Sequence, residues 1–420
     1  MAYPHKTTPN TNGNQLILGP EILSRVFQCL SRISIQRCSL ACREWHTIAR
    51  PVVFRKIIIK NEKKYLRVNN LLEEQPEVCS WIKELCFDNM LDDSDSAAIS
   101  TPEWVYAFAT QLAPKMKRLE CLEFVGLEEL ERDRVFPFIT GLQVLSSIRT
   151  LRFVDCALSS NCLLAVACSF SNLVTLSIIQ PSIFFDTDST PRPALPKHHQ
   201  LRLTAFKYHD YDDRIDDEDK NLLKSLLAEL HSSGSLQTLR CLDFDIKDRL
   251  TLPQVGRLLQ EVGPSFEDFT LKLPMSLKIW GKDRGQAEFK RHLNFSSMKS
   301  LRSLRFEDIK HPVTLDLLKT LPKPIELRRL TFGIEFNHVA SLRNKDYAQL
   351  DEFLSSEHFS SMTEVWFDYK GVLDDNTVRK KVGRAFKGLD KRGMLGVSKV
   401  VREYSYVLGL LSGLGTDDET

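Results

Sequence analysis

After Phe54 the chain keeps returning to one short pattern: apolar, two residues, apolar, one residue, apolar. It occurs as Ile82, Leu85, Phe87; Leu119, Leu122, Phe124; Ile148, Leu151, Phe153; Leu173, Leu176, Ile178; and Leu203, Phe206, Tyr208. It continues as Leu239, Leu242, Phe244; Phe266, Phe269, Leu271; Leu301, Leu304, Phe306; Leu327, Leu330, Phe332; and Met362, Val365, Phe367. Successive starts lie between 25 residues (Ile148 to Leu173) and 37 residues (Ile82 to Leu119) apart. Three apolar positions recur by accident in a chain with 42% hydrophobic residues, so the third position carries the argument. It is most often Phe, although only 24 of 420 residues are Phe. Helical stretches fill many of the gaps, as at 102–112, 217–230, 254–262 and 347–354.

A strand–helix unit returning about every 30 residues requires parallel strands, because each return needs a crossover. The last two apolar positions are two apart, so both point to one face, and stacked units share a continuous core. The units resemble an irregular leucine-rich repeat. That family's unit continues with Asn or Cys three residues after the last apolar position, and only Cys156 clearly fits that place. The missing Asn ladder and the long period put regular curvature in doubt. The resemblance implies an α/β fold: a solenoid of parallel strands and crossover helices. The alternative is a non-repetitive α/β domain.

Before the repeats, residues 18–54 read LGPEILSRVFQCLSRISIQRCSLACREWHTIARPVVF. Pro20 suits the first turn of a helix, and Glu21 favours its positive end. Ile22, Leu23, Val26, Phe27 and Leu30 form one apolar helical face. Ser34 is a candidate cap for a second helix carrying Ile35, Cys38, Leu40, Ala41 and Cys42. A third short helix presents Trp45, Ile48 and Ala49, and Pro51 is expected to end it. A unit this small buries little surface alone, which suggests a docking module completed by a partner.

The order Leu-x-Pro-Glu-Ile-Leu, Val-Phe, Leu, Ser-Ile, Cys-Ser-Leu-Ala-Cys, Arg-x-Trp, Ile-Ala resembles the F-box motif. It is most similar to the fungal form, in which Cys-Ser-Leu-Val-Cys and Arg-x-Trp are typical. Two positions depart: Gly19 follows Leu18 where the family usually has proline, and Ala41 stands where valine is common. The resemblance implies a module that binds the Skp-type adaptor and, through it, the cullin of an SCF-type ubiquitin ligase. The matching positions are Leu18, Pro20, Ile22, Leu23, Phe27, Leu30, Leu40 and Trp45. The bland alternative is that these residues form the first helices of an ordinary core.

The expected organisation is a disordered tail at 1–15, an F-box at 16–56, a leucine-rich-repeat-like domain at 57–407 and a tail at 408–420. RKIIIKN is expected to form a first strand, followed by a helix ending before Pro76. Residues 373–392 read as a final helix and 397–407 as a closing strand. The loops at 89–100 (acidic) and 180–200 (proline-rich) are long. Net charge is +2, which gives no electrostatic case for nucleic acid. No apolar run has the length of a membrane span, and the N-terminus lacks a secretory pattern. The ten cysteines, with no C-x-x-C pair, are therefore expected to be reduced and structural in a cytoplasmic or nuclear protein.

Residues between the inward strand positions point to the opposite, concave face. That row includes Glu84, Glu123, Arg152, Ser177, Lys207, Asp243, Asp245, Asp268, Lys272, Arg305, Arg329, Glu364 and Trp366. Arg152, Lys207, Asp243, Arg305, Arg329 and Trp366 are the candidate target-binding residues. Trp366 reads either as an interface anchor or as a Trp covered by the C-terminal segment. The run HDYDDRIDDED lacks the glycine and terminal glutamate of a calcium loop, so a solvated acidic loop is expected rather than a metal site. No catalytic, metal or cofactor motif is found. The expected function is a non-catalytic substrate receptor of an SCF-type ubiquitin ligase, its repeat face binding a protein target. The alternative is an adaptor-binding F-box protein with a structural or trafficking role.

Overall fold

The computed structural model describes residues 19–89, 101–128, 130, 132–180, 201–209, 219–232, 234–246, 252–273, 282–307, 313–335, 344–371 and 373–400. It opens with three short helices, α1 (Pro20–Gln28), α2 (Arg32–Ser39) and α3 (Arg43–Val53). Ser31, not Ser34, caps α2: its hydroxyl accepts from the Ser34 N–H at 3.2 Å. Ser34 is the third helical residue, the position that donates to a cap. Pro51 also does not end α3. A proline removes only its own N–H, and Phe54 still donates to the Arg50 carbonyl at 3.0 Å. A fourth helix, α4 (Glu62–Glu74), ends before Pro76 and is capped by Asn61, whose Oδ1 accepts from the Lys64 N–H.

Twelve strands form one sheet: β1 (Lys56–Ile59), between α3 and α4, then β2 (Glu84–Asp88), β3 (Cys121–Val125), β4 (Thr150–Val154), β5 (Thr175–Ile179) and β6 (Ala205–His209). The others are β7 (Cys241–Asp245), β8 (Asp268–Lys272), β9 (Ser303–Phe306), β10 (Arg329–Glu335), β11 (Glu364–Lys370) and β12 (Leu395–Lys399). Their spatial order is their sequence order, and every neighbouring pair is parallel. The sheet does not close, since β1 and β12 are its edges. Each apolar unit read from the sequence supplies one strand, from β2 to β11.

Register explains why the units look alike. The second apolar position forms one row, Leu85–Leu122–Leu151–Leu176–Phe206–Leu242, continued to Val365. The third forms another, in which Phe87, Phe124 and Phe153 stack at 5.5 and 5.7 Å between ring centroids. Phe332 sits in the same way between Phe306 and Phe367, at 6.0 and 5.6 Å. Phe is favoured here because stacked rings on parallel strands bury large area and add aromatic contact. The first apolar position is buried beneath each strand entry. There two successive N–H groups share one carbonyl, as Glu120 and Cys121 share that of Lys83, and Arg149 and Thr150 that of Glu120. Helices cover the buried face. Arg132–Leu142, Ser160–Cys168, Asp219–Ser232, Leu252–Val262 and Lys282–His292 each touch the next, forming one layer.

Cys156 acts where the repeat pattern placed it: its buried Sγ lies 3.3 Å from the Phe124 carbonyl one unit earlier. All ten cysteines are free thiols. The expected helix over 373–392 is two helices, Asp375–Ala385 and Lys387–Lys391. They break at Phe386, which leaves helical geometry (φ −119°, ψ 63°) to bury its ring 4.9 Å from Phe367. The closing strand starts at Leu395 rather than Val397, and its expected extension past residue 400 lies outside the described residues. The expected tails, most of the two long loops and the acidic run at 210–218 also lie outside them. The helical unit meets the sheet through Arg50, which hydrogen-bonds Gln75 and lies 5.3 Å from the Trp81 ring centroid.

Candidate functional site

The three N-terminal helices bury a small core of Phe27, Ile35 and Ala49, with Trp45, Ile48, Val52 and Val53 packed against it. Phe27 meets Trp45 edge-to-face at 5.8 Å. Leu23 is also buried. That leaves a second apolar set outside. Ile22 is 52% exposed, and Val26 and Leu30 follow it at four-residue spacing, so all three share one face of α1 and its C-terminal turn. On α2 and its end, Ile33 is 63% and Leu40 84% exposed. Scattered exposed apolar residues are normal, but five on a unit of three short helices make this unit the candidate docking surface.

The eight residues read from the F-box resemblance therefore divide. Pro20, Ile22, Leu30 and Leu40 face outward, Trp45 is half-buried, and Leu23 and Phe27 belong to the internal core. Leu18 lies outside the described residues. Ile33 was not read from the sequence. Its signal was its position two residues before buried Ile35, which puts it off the inward helical face.

The sheet's free face carries a second arrangement. Across its middle, the register aligns Glu123, Arg152, Ser177, Lys207, Asp243 and Thr270, then Arg305, Thr331, Trp366 and Gly396. Ser177 and Asp245 are buried rather than presented outward. Lys272 caps Asp245 at 2.6 Å. Lys207 lies 3.6 Å and His209 Nε2 2.9 Å from Asp243. Burial works to raise the Asp243 carboxyl, but the hydrogen bond from His209 and the charges of His209 and Lys207 hold it below the usual range. Arg305 holds both Glu307 and Asp368. Burial works to lower its guanidinium, and the two carboxylates raise it above the ordinary arginine value. Arg329 pairs with Glu364 at 2.8 Å.

Trp366 is half-buried and donates from Nε1 to Glu364 at 2.9 Å. Its ring lies against Gly396 of β12, where an added Cβ would stand 2.5 Å from a ring carbon. Of the six candidate target-binding residues, five are thus engaged with neighbours in the sheet. Arg152 alone is exposed with its side chain in no hydrogen bond or ion pair among the described residues. No group of three His, Cys, Asp or Glu side chains suited to a metal ion occurs among the described residues. No helix among them is long and apolar enough to cross a membrane.

A family model described as F-box-like matches residues 18–60, which span α1 to α3 and β1. No curated protein matches the chain.

Proposed function

We propose that this chain is the substrate-recognition subunit of an SCF-type ubiquitin ligase. F-box domains generally bind Skp-type adaptors, and here the exposed apolar residues Ile22, Val26 and Leu30 of the first helix and its end, with Ile33 and Leu40 of the second, are suited to that contact. The exposure of these five apolar residues is the observation that carries the reading. The Cys38, Cys42, Arg43 and Trp45 spacing supports a fungal-type F-box. In this reading the sheet is an open, leucine-rich-repeat-like solenoid, supported by the strictly sequential parallel strands and the single helix layer. Its free face takes a protein target, and the chain is non-catalytic: it supplies proximity while other subunits transfer ubiquitin.

The test is affinity purification of the intact protein beside an Ile33→Ala/Leu40→Ala variant. Wild type should recover a Skp-type adaptor, a cullin and ubiquitinated clients, and the variant should lose all three. Recovery of adaptor without cullin or ubiquitinated clients would favour a structural or trafficking role. Equal adaptor recovery by both proteins would remove the docking assignment.

A further inference from the structure

We propose that the cleft at the entry to β2–β4 binds a short acidic segment of a target protein, an inference that rests on the receptor reading above. The cleft measures about 270 Å³ and is lined by Arg55, Lys83, Arg149 and Arg152, facing Glu84 and Glu120. The two glutamates are already engaged. Arg55 Nε lies 3.8 Å from Glu84, and Lys83 Nζ 2.6 Å from Glu120. Arg149 acts on Glu120 only from beyond ion-pair distance, and Arg152 meets no carboxylate among the described residues. Four cations therefore face two occupied carboxylates, and the surplus is two exposed guanidiniums in one cleft.

The rest of the face makes that surplus informative. Lys207, Lys272, Arg305 and Arg329 each hold an acidic neighbour, so using them on a target would break an existing pair. Among the described residues, Arg149 and Arg152 hold no such pair to break. A guanidinium fork matches a carboxylate with two parallel hydrogen bonds, and two adjacent forks match two neighbouring acidic side chains. A continuous phosphate track fits less well, because Glu84 and Glu120 line the same cleft and net charge is only +2.

The test measures fluorescence anisotropy of labelled hexaglutamate, with a glycine–serine peptide of equal length as control, on the full chain. Wild type should bind hexaglutamate in a salt-sensitive manner and ignore the control peptide. Arg149→Gln/Arg152→Gln should weaken binding by about tenfold or more. Arg328→Gln removes an exposed arginine at the equivalent entry position of β10, and should leave binding unchanged. Thermal melts establish that all variants fold, and adaptor capture is measured on the same preparations. Adaptor captured without hexaglutamate binding, or an equal loss in the Arg328 variant, would overturn the cleft site alone. Hexaglutamate bound at the cleft without adaptor capture would overturn the receptor reading alone.

Discussion

At the scale of single residues, apolar character does not by itself tell docking from packing. Phe27 and Leu40 belong to the same sequence motif, yet Phe27 is 1% and Leu40 84% exposed. Phe27→Ala should cost about 3–5 kcal/mol of the helical unit's stability, read from its unfolding transition. Leu40→Ala should move that transition little and weaken adaptor binding instead. Gly396 is a second such site: with the Trp366 ring against its Cα, Gly396→Ala should destabilise the chain by about 1–3 kcal/mol in chemical denaturation. Asp243 supplies a pH signature. Its carboxyl is held below the ordinary value in the folded chain, so its contribution is present above about pH 4 and is lost as pH falls through the folded value. Stability measured against pH should therefore fall less steeply on the acid side in Asp243→Asn.

At the scale of elements, the strands and their parallel stacking were legible and the ion pairs between them were not. The period-two pattern with a terminal Phe marks β2 to β11 because burial on one face leaves a trace in every unit. Pairings such as Arg305 with Asp368 join residues 63 apart, and nothing in a linear reading selects one acid from several. Caps were misread where chemistry was degenerate: Ser31 and Ser34 are the same residue type, and only backbone geometry decides between them. The last two helices show the opposite case, a break set by tertiary packing of Phe386 rather than by a glycine or proline. The helix Lys387–Lys391 is held from outside. Asp351 accepts from the Gly388 N–H at 2.8 Å and the Leu389 N–H at 3.1 Å, satisfying first-turn donors. Asp351→Ala should cost about 1–2 kcal/mol and raise local amide exchange at 387–391.

At the scale of the whole molecule, two surfaces are left unfinished on one chain. The helical unit spends its few buried residues on its own core and leaves five apolar residues exposed. The sheet satisfies most charges on its free face internally and leaves a pair of arginines at one end. Arg50 ties the two parts together through Gln75 and Trp81. A receptor needs this division: one surface for the shared machine, another for the client. The most direct measurement is calorimetric titration of the full chain with a Skp-type adaptor, comparing wild type with Ile33→Ala/Leu40→Ala. Tight binding by wild type, weakened by about tenfold or more in a variant with an unchanged melting temperature, is the predicted result. Equal affinity of the two proteins for the adaptor, or no binding by either, would contradict it.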